Sequence, residues 1–426
     1  MQNLHKAWQT YLPEQKVLLA DLDSESLNSI GRAAEHLGQS AYPTGEDWKY
    51  VDFSSLRSQN FQMAKGEPKV IADESEHFCS IELSDFSSPF DFVATGLPKG
   101  LKVFTHKQVL KDTKQREKLM TLLSRKEVGA ETIDQWALPF LGLGLVIEAR
   151  GQVGKALKIK VNLNKIQNHV GLAPLHLMIN CEANSSLQVF VDYCGDNFTG
   201  LCNSRVDVHV EEGATLTLAS QQSGGEQASF SRSVFASVET EASFKSWDVT
   251  LPGGWSRHDS DIRLLSPRAE THLKGVYLGK NKDFSDHHTV VSHMKGDTQS
   301  FEDYRGLLTD SARAVFNGKV LIEKMAAKSR SEQINKNLLL SQKAEVDTKP
   351  ELQIDNDDVK ASHGATVGQI NQEQRFYLMS RGYSSDQALS ALCRAFIFDL
   401  LEDESERLIH FYNHNLLKAL STMKES

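Results

Sequence analysis

From about residue 140 to residue 360 the chain alternates apolar and polar positions in short runs: "LKIKVNL", "SLQVFVDY", "RVDVHV", "ATLTLAS", "VFASVET", "HLKGVYLG", "HHTVVSHM" and "KVLIEKM". A period of two residues sends alternate side chains to opposite faces of a strand and buries one face. The runs also recur on a longer scale. "NSSLQVF" (184–190), "GATLTLA" (213–219), "EASFKSW" (241–247), "AETHLKG" (269–275) and "DTQSFED" (297–303) follow one another about every 28 residues, which is the length of one solenoid coil. A small or turn-forming residue precedes each run. The pattern predicts a mainly β fold, a right-handed β-helix whose coils stack their inward side chains, with Leu187, Leu216 and Phe244 in equivalent positions. A β-sandwich with irregular hairpins is the competing reading.

The ends of the chain have the helical period instead. "SESLNSIGRAAEHLG" sets Leu27, Ile30, Ala34 and Leu37 on one stripe, with Gly38 as a stop. Near the other end, Ser384 and Gln387 form a capping-box pattern ahead of a stripe of Leu389, Leu392, Phe396 and Leu400. A second stripe runs through Leu408, Tyr412, Leu416 and Leu420. The expected division is an N-terminal helical and mixed region over 1–139, a β-helix core over 140–364 and a C-terminal helical domain over 365–426. Residues 61–139 have no clear period.

Composition narrows the functional classes. Hydrophobic residues at 40% and charged residues at 24% are those of a folded protein. A net charge of -9 argues against nonspecific nucleic-acid binding, which depends on clustered Lys and Arg. The longest apolar run, near "FLGLGLVI", is far short of a membrane span, and the N-terminus lacks the pattern of a signal peptide. The expectation is a cytoplasmic protein with no nucleic-acid or membrane partner. Five cysteines, Cys79, Cys181, Cys194, Cys202 and Cys393, include no C-x-x-C pair, so neither a disulfide framework nor a zinc ribbon is indicated.

Candidate chemistry is sparse. No phosphate-binding loop is present, and "GLGLVI" lacks the third glycine of a dinucleotide loop. "SDHHTVVSH" collects Asp286, His287, His288 and His293, residue types that bind transition metals. The same run resembles the Asp-His-His signature of manganese phosphoesterases, for which Asp21 and Asp23 offer an upstream acidic pair. A metal-dependent phosphoesterase is therefore the alternative function. Against it, adjacent strand residues point to opposite faces, so His287 and His288 share a metal only at a bulge. "IDNDDVK" lacks the glycine and the bidentate Glu of a calcium loop.

Between about 270 and 390 several motifs follow in order: "DHHTVVSH", "ARAVFNGKVLIEKMA", "QINKNLLLSQKAEVDTKPELQIDNDDVKASHGATVGQI" and "FYLMSRGYSSDQA". This stretch resembles the SufB/SufD family of the SUF iron–sulfur cluster assembly system, and "PTGEDWKYVDF" near the start resembles its SufD branch. The resemblance implies a non-catalytic scaffold that pairs with a SufB-like paralogue through the β-helix and with the ATPase SufC through the C-terminal helices. A homodimer is possible when the chain is alone. His363 matches the family histidine at the junction of the two β-helices, where a transient iron–sulfur cluster is expected. Tyr377, Arg381, Gly382, Leu389, Leu392 and Phe396 fall in the expected ATPase-docking region. The resemblance leaves a flavin in the complex open. Where many SufD-like sequences carry cysteine this chain has Ala361, so any thiolate for iron at that spot must come from the partner.

Overall fold

The computed structural model describes residues 2–19, 48–51, 53–57, 59–66, 73–74, 77–112, 116, 140, 142–167 and 170–425. The helix expected over 24–38 and the Asp21/Asp23 pair lie outside these residues. Two ten-stranded sheets form a β-solenoid of about 8 turns. Consecutive strands of the solenoid alternate between the sheets, as one coil per repeat requires.

The first sheet contains β1 (Gln62–Met63), β4 (Leu101–Thr105), β5 (Gly144–Ala149), β7 (Gly171–Cys181), β9 (Gly200–Val210), β11 (Ala228–Val238), β13 (Trp255–Leu264), β15 (Phe284–His293), β17 (Arg313–Ile322) and β19 (Glu345–Ile354). The second contains β2 (Asp73–Glu74), β3 (Phe78–Leu83), β6 (Ala156–Asn162), β8 (Ser186–Gly195), β10 (Thr215–Gly224), β12 (Ser243–Thr250), β14 (Glu270–Gly279), β16 (Gln299–Leu308), β18 (Arg330–Leu339) and β20 (Lys360–Gly368). Pairing is parallel throughout, except where β4 joins β5 and β2 joins β3. The strands of 78–105 fall in the stretch whose sequence has no clear period.

Parallel pairing in register turns the repeat into interior columns. Leu216 pairs with Leu187 on one side and Phe244 on the other, and all three are at most 1% exposed. Beyond Phe244 the column becomes polar, continuing through Thr271, Ser300 and Ser331. A neighbouring column runs Val189, Leu218, Ser246, Leu273, Glu302 and Gln333. The interior is thus apolar toward the N-terminal coils and hydrogen-bonded toward the C-terminal ones.

The corners repeat too. Asn184, Gly213, Glu241, Arg268, Asp297 and Lys328 all have φ between 57° and 65°, left-handed backbone that disfavours a residue with a Cβ by about 1–2 kcal/mol. The compensation is a link to the next coil, since Asn184 N donates to Glu212 O, Gly213 N to Thr240 O and Asp297 N to Ala327 O, each at 2.9 Å.

Helices flank the solenoid. At the N-terminus are α1 (Gln2–Leu19), α2 (Ser54–Arg57) and α3 (His106–Val109); at the C-terminus are α4 (Gln372–Ser380), α5 (Ser385–Phe398) and α6 (Glu406–Leu420). Ser384 closes the expected capping box with Gln387 at the start of α5. Leu389, Cys393, Ile397, Leu408, Tyr412 and Leu416 pack on Phe190, Ala219, Trp247, Val276 and Leu307, the outer side of the second sheet. Tyr412 Oη donates to the Ser220 and Trp247 carbonyls at 3.1 and 3.2 Å. On the outer side of the first sheet, the aromatic segment near residue 50 lays Trp48 against the Arg257 guanidinium, 4.1 Å from the ring centre.

Leu216→Ala should therefore leave a cavity between two coils and cost about 2–5 kcal/mol. Chemical denaturation checks this, and a loss under about 1 kcal/mol would argue against tight stacking at that column.

Candidate functional site

The two ends of the solenoid differ. At the N-terminal end antiparallel strands and the N-terminal segment finish the sheets. At the C-terminal end, among the described residues, β19 pairs only with β17, and β20 only with β18. Their free edges present unpaired backbone groups over a coil's width. Pro350 in the middle of β19 fits an edge, where a missing donor is tolerated.

Register carries the inward positions into this last coil. Beneath Ser331, Gln333, Asn335 and Asn337 sit Ala361, His363, Ala365 and Val367. Beneath Ala314, Phe316, Gly318, Val320 and Ile322 sit Val346, Thr348, Pro350, Leu352 and Ile354. Leu352 and Ala361 pack on Val320, Ile322 and Ala326. Val367 and Ile354 are 46% and 42% exposed, and His363 is exposed. His363 thus belongs to the interior set of the last coil, laid open because no described coil follows. Alanines flank it on the same face, at 361 and 365.

Cys393, in α5, is buried on the outer side of the second sheet, the opposite face to the one that carries His363. Cys202, in β9, is five strands from β19, about 24 Å at the usual strand spacing. Burial pushes the thiols of Cys181, Cys194 and Cys202 up to about 12, and that of Cys393 up to about 11. None is a ready thiolate.

The Asp286, His287 and His288 cluster separates across the sheet. Asp286 and His288 lie on the outer face, where Arg257 pairs with Asp286 at 2.5 Å and His288 Nε2 stands 3.0 Å from it. His287 turns into the solenoid, toward Asp248 and His258. The strand has no bulge there, so the three cannot hold one metal and the geometry does not support a phosphoesterase. His293 also points inward, bonded to Thr298 and Ser300 at 2.8 and 2.9 Å.

The interior near His287 is a polar layer. Asp248 Oδ1 accepts from Ser220 Oγ at 2.8 Å and Arg232 Nη1 at 2.6 Å. Burial alone would raise the Asp248 carboxyl, yet Arg232 and His258 hold it well below the usual carboxylate range. Burial pushes His287 down to about 3, so its ring is neutral. His287 Nδ1 and His258 Nε2 are buried without a hydrogen-bond partner, which costs about 1–3 kcal/mol for each such group. Reading the chain missed Asp248 and His258. The signal was the coil repeat, which stacks Arg232, His258 and His287 in one column.

The helical region divides into a buried and an open part. Leu389 is 4% exposed, and Leu392 and Phe396 are half-buried in the same contact with the solenoid. Within the chain their apolar surface packs on the solenoid, which leaves less of it for the partner docking expected of them. The open part is α4, which has no buried residue and no apolar stripe to announce it. Phe376, Tyr377 and Met379 are 73%, 56% and 43% exposed, and Tyr383 just beyond is 48% exposed. Arg381 Nη2 donates to Tyr377 Oη at 3.2 Å, and Gly382 ends the helix at φ 97°, a conformation that favours glycine.

The described residues thus form a stacked parallel solenoid, open at its C-terminal end and flanked by a C-terminal helical layer. Residues 164–396 match the family model described as "SUF system FeS cluster assembly, SufBD core domain". The chain belongs to that family and has a role in SUF iron–sulfur cluster assembly. It is 26% identical to an iron–sulfur cluster assembly SufBD family protein of Synechocystis sp., over 92% of this chain and 90% of that one. It is 27% identical to the iron–sulfur cluster assembly protein SufD of Escherichia coli, over 89% of this chain and 90% of that one. A 35% identity to the SufD protein of Bacillus subtilis covers 30% of each chain. No described helix is long and apolar enough to cross a membrane.

The last coils also contain a titratable group. Burial pushes Glu302 from 4.5 up to about 7, against hydrogen bonds from Thr289 at 2.6 Å and Gln333 at 3.1 Å. Because the folded value is raised, the folded chain holds a proton that the unfolded chain releases above about 4.5, and stability falls as pH rises through about 7. Glu302→Gln should remove this component, on the order of 3 kcal/mol. Urea unfolding of both proteins from pH 4.5 to 8 checks it: the variant should gain relative to the wild type as pH rises, and a constant difference would refute the assignment.

Proposed function

We propose that this chain is a non-catalytic, SufD-like scaffold subunit whose open solenoid end pairs with a SufB-like paralogue, while its C-terminal helical region holds a SufC-like ATPase. The carrying observation is the last coil: two unpaired strand edges, an exposed apolar rim and a histidine on one surface. Free edges recruit strands from another chain by continuing the sheet, and the exposed Val367 and Ile354 give such a contact apolar area to bury. A nascent iron–sulfur cluster is the cargo at this junction. His363 offers it an imidazole nitrogen, and with Ala361 beside it the thiolates come from the partner. A chain without its paralogue can use the same surface for a second copy of itself.

The ATPase reading rests on α4. Its exposed Phe376, Tyr377 and Met379, with Tyr383 and Arg381 beside them, combine aromatic and cationic contacts of the kind that dominate binding energy at interfaces. Removing residues 369–426 would strip the apolar cover from the second sheet, so surface substitutions are the cleaner probe.

Val367→Asp with Ile354→Asp alters exposed positions, so the isolated chain should keep its stability within about 0.5 kcal/mol while co-purification with the SufB-like chain is lost. Undiminished pairing would place the interface elsewhere. Phe376→Ala with Tyr377→Ala should release the ATPase and spare that pairing; an ATPase still retained would move docking off α4. His363→Ala should leave assembly and melting temperature unchanged while iron and sulfide content of the complex falls. If the complex instead weakens in step with its cluster content, His363 is a packing residue.

A further inference from the structure

The polar layer inside the solenoid has the construction of a metal site. Asp248 of β12, His258 of β13 and His287 of β15 place one donor atom each within 4.8 Å of one another. His258 Nδ1 is 2.8 Å and His287 Nδ1 is 3.6 Å from Asp248 Oδ2. The three residues are 1%, 4% and 1% exposed. What surrounds them fixes their orientation. Ser220 and Arg232 occupy Asp248 Oδ1, which leaves Oδ2 with no aligned hydrogen bond. Ser285 Oγ takes His287 Nε2 at 2.9 Å, which leaves Nδ1 without a partner. Tyr277 stacks on the His287 ring at 4.9 Å and 27° and fixes its plane. Outer hydrogen bonds that choose the tautomer of a histidine and the free oxygen of a carboxylate are how proteins aim donors at an ion.

We propose that Asp248, His258 and His287 bind one divalent first-row transition ion, zinc or ferrous iron, inside the solenoid, with solvent completing the coordination. Two imidazoles and one carboxylate suit either ion. Arg232 does not compete, because it bonds the other carboxylate oxygen and Gln222 Oε1. Toward the open end the interior stays polar, with Glu302, Gln333, Asn335 and Asn337 between this layer and the last coil. The site lies apart from His363 and does not depend on how the chain pairs.

The test uses the full-length protein, stripped with chelator and titrated anaerobically with Zn²⁺ or Fe²⁺ alone, with bound metal measured after desalting. The expected result is one ion per chain and a raised melting temperature. His258→Gln and His287→Gln should abolish stoichiometric binding, Ser285→Ala should weaken it by about 10–100-fold, and His363→Ala should leave it unchanged. Binding that survives both histidine substitutions overturns the proposal, as does a wild-type protein that retains neither ion, in which case Asp248 and His258 share only a proton. Where a histidine variant fails to fold, Co²⁺ absorption of the wild-type protein decides. Bands of nitrogen and oxygen ligation without sulfur-to-metal charge transfer support the triad; thiolate charge transfer, or only the spectrum of free aqueous Co²⁺, overturns it.

Discussion

Every coil of this protein is held chiefly by the coil next to it. The strands pair in parallel and in register, so a side chain meets the residue one repeat before it and the residue one repeat after it. Stability in such an array comes from the sum of neighbour contacts rather than from one central core. The flanking elements follow from this. A stack needs its sides covered where they are apolar, which α5 and α6 do for the second sheet, and it needs its ends finished. The N-terminal end is finished by antiparallel strands. The C-terminal end is left open among the described residues.

The same stacking explains the position of His363. An interior column cannot stop without exposing its last member, and in the column of Leu273, Glu302 and Gln333 that member is His363. The residue is therefore placed by the array and exposed by its termination. Exposure at a solenoid end needs no specialised loop, only the final repeat position, and the small residues Ala361 and Ala365 beside His363 leave its ring open.

The solenoid was legible in the chain because its signal is doubly periodic: alternation marks each strand, and the repeat marks the coil. The capping box at Ser384 and the stripe through Leu408, Tyr412, Leu416 and Leu420 were legible for the same reason, as local patterns with one physical meaning. What the stripe at Leu389 covers was not legible, since an apolar face looks alike whether it meets its own sheet or a partner. The exposed helix α4 escaped notice because it buries nothing. The triad escaped because its residues are distant in sequence and join only when two sheets face each other. Local reading drew His287 toward its neighbours Asp286 and His288, although the strand sends it the other way.

The passage from apolar to polar filling along the interior affects more than ligand chemistry. Coils packed with leucine and phenylalanine resist opening by excluding water, whereas coils filled with Glu302, Gln333, Asn335 and Asn337 depend on hydrogen bonds that water can replace. Amide exchange should therefore be graded along the axis, slowest near β8 and β10 and fastest near β19 and β20. Such a gradient makes the terminal coils an adjustable segment on a rigid stem, one that a bound neighbour can order at little cost to the rest of the molecule.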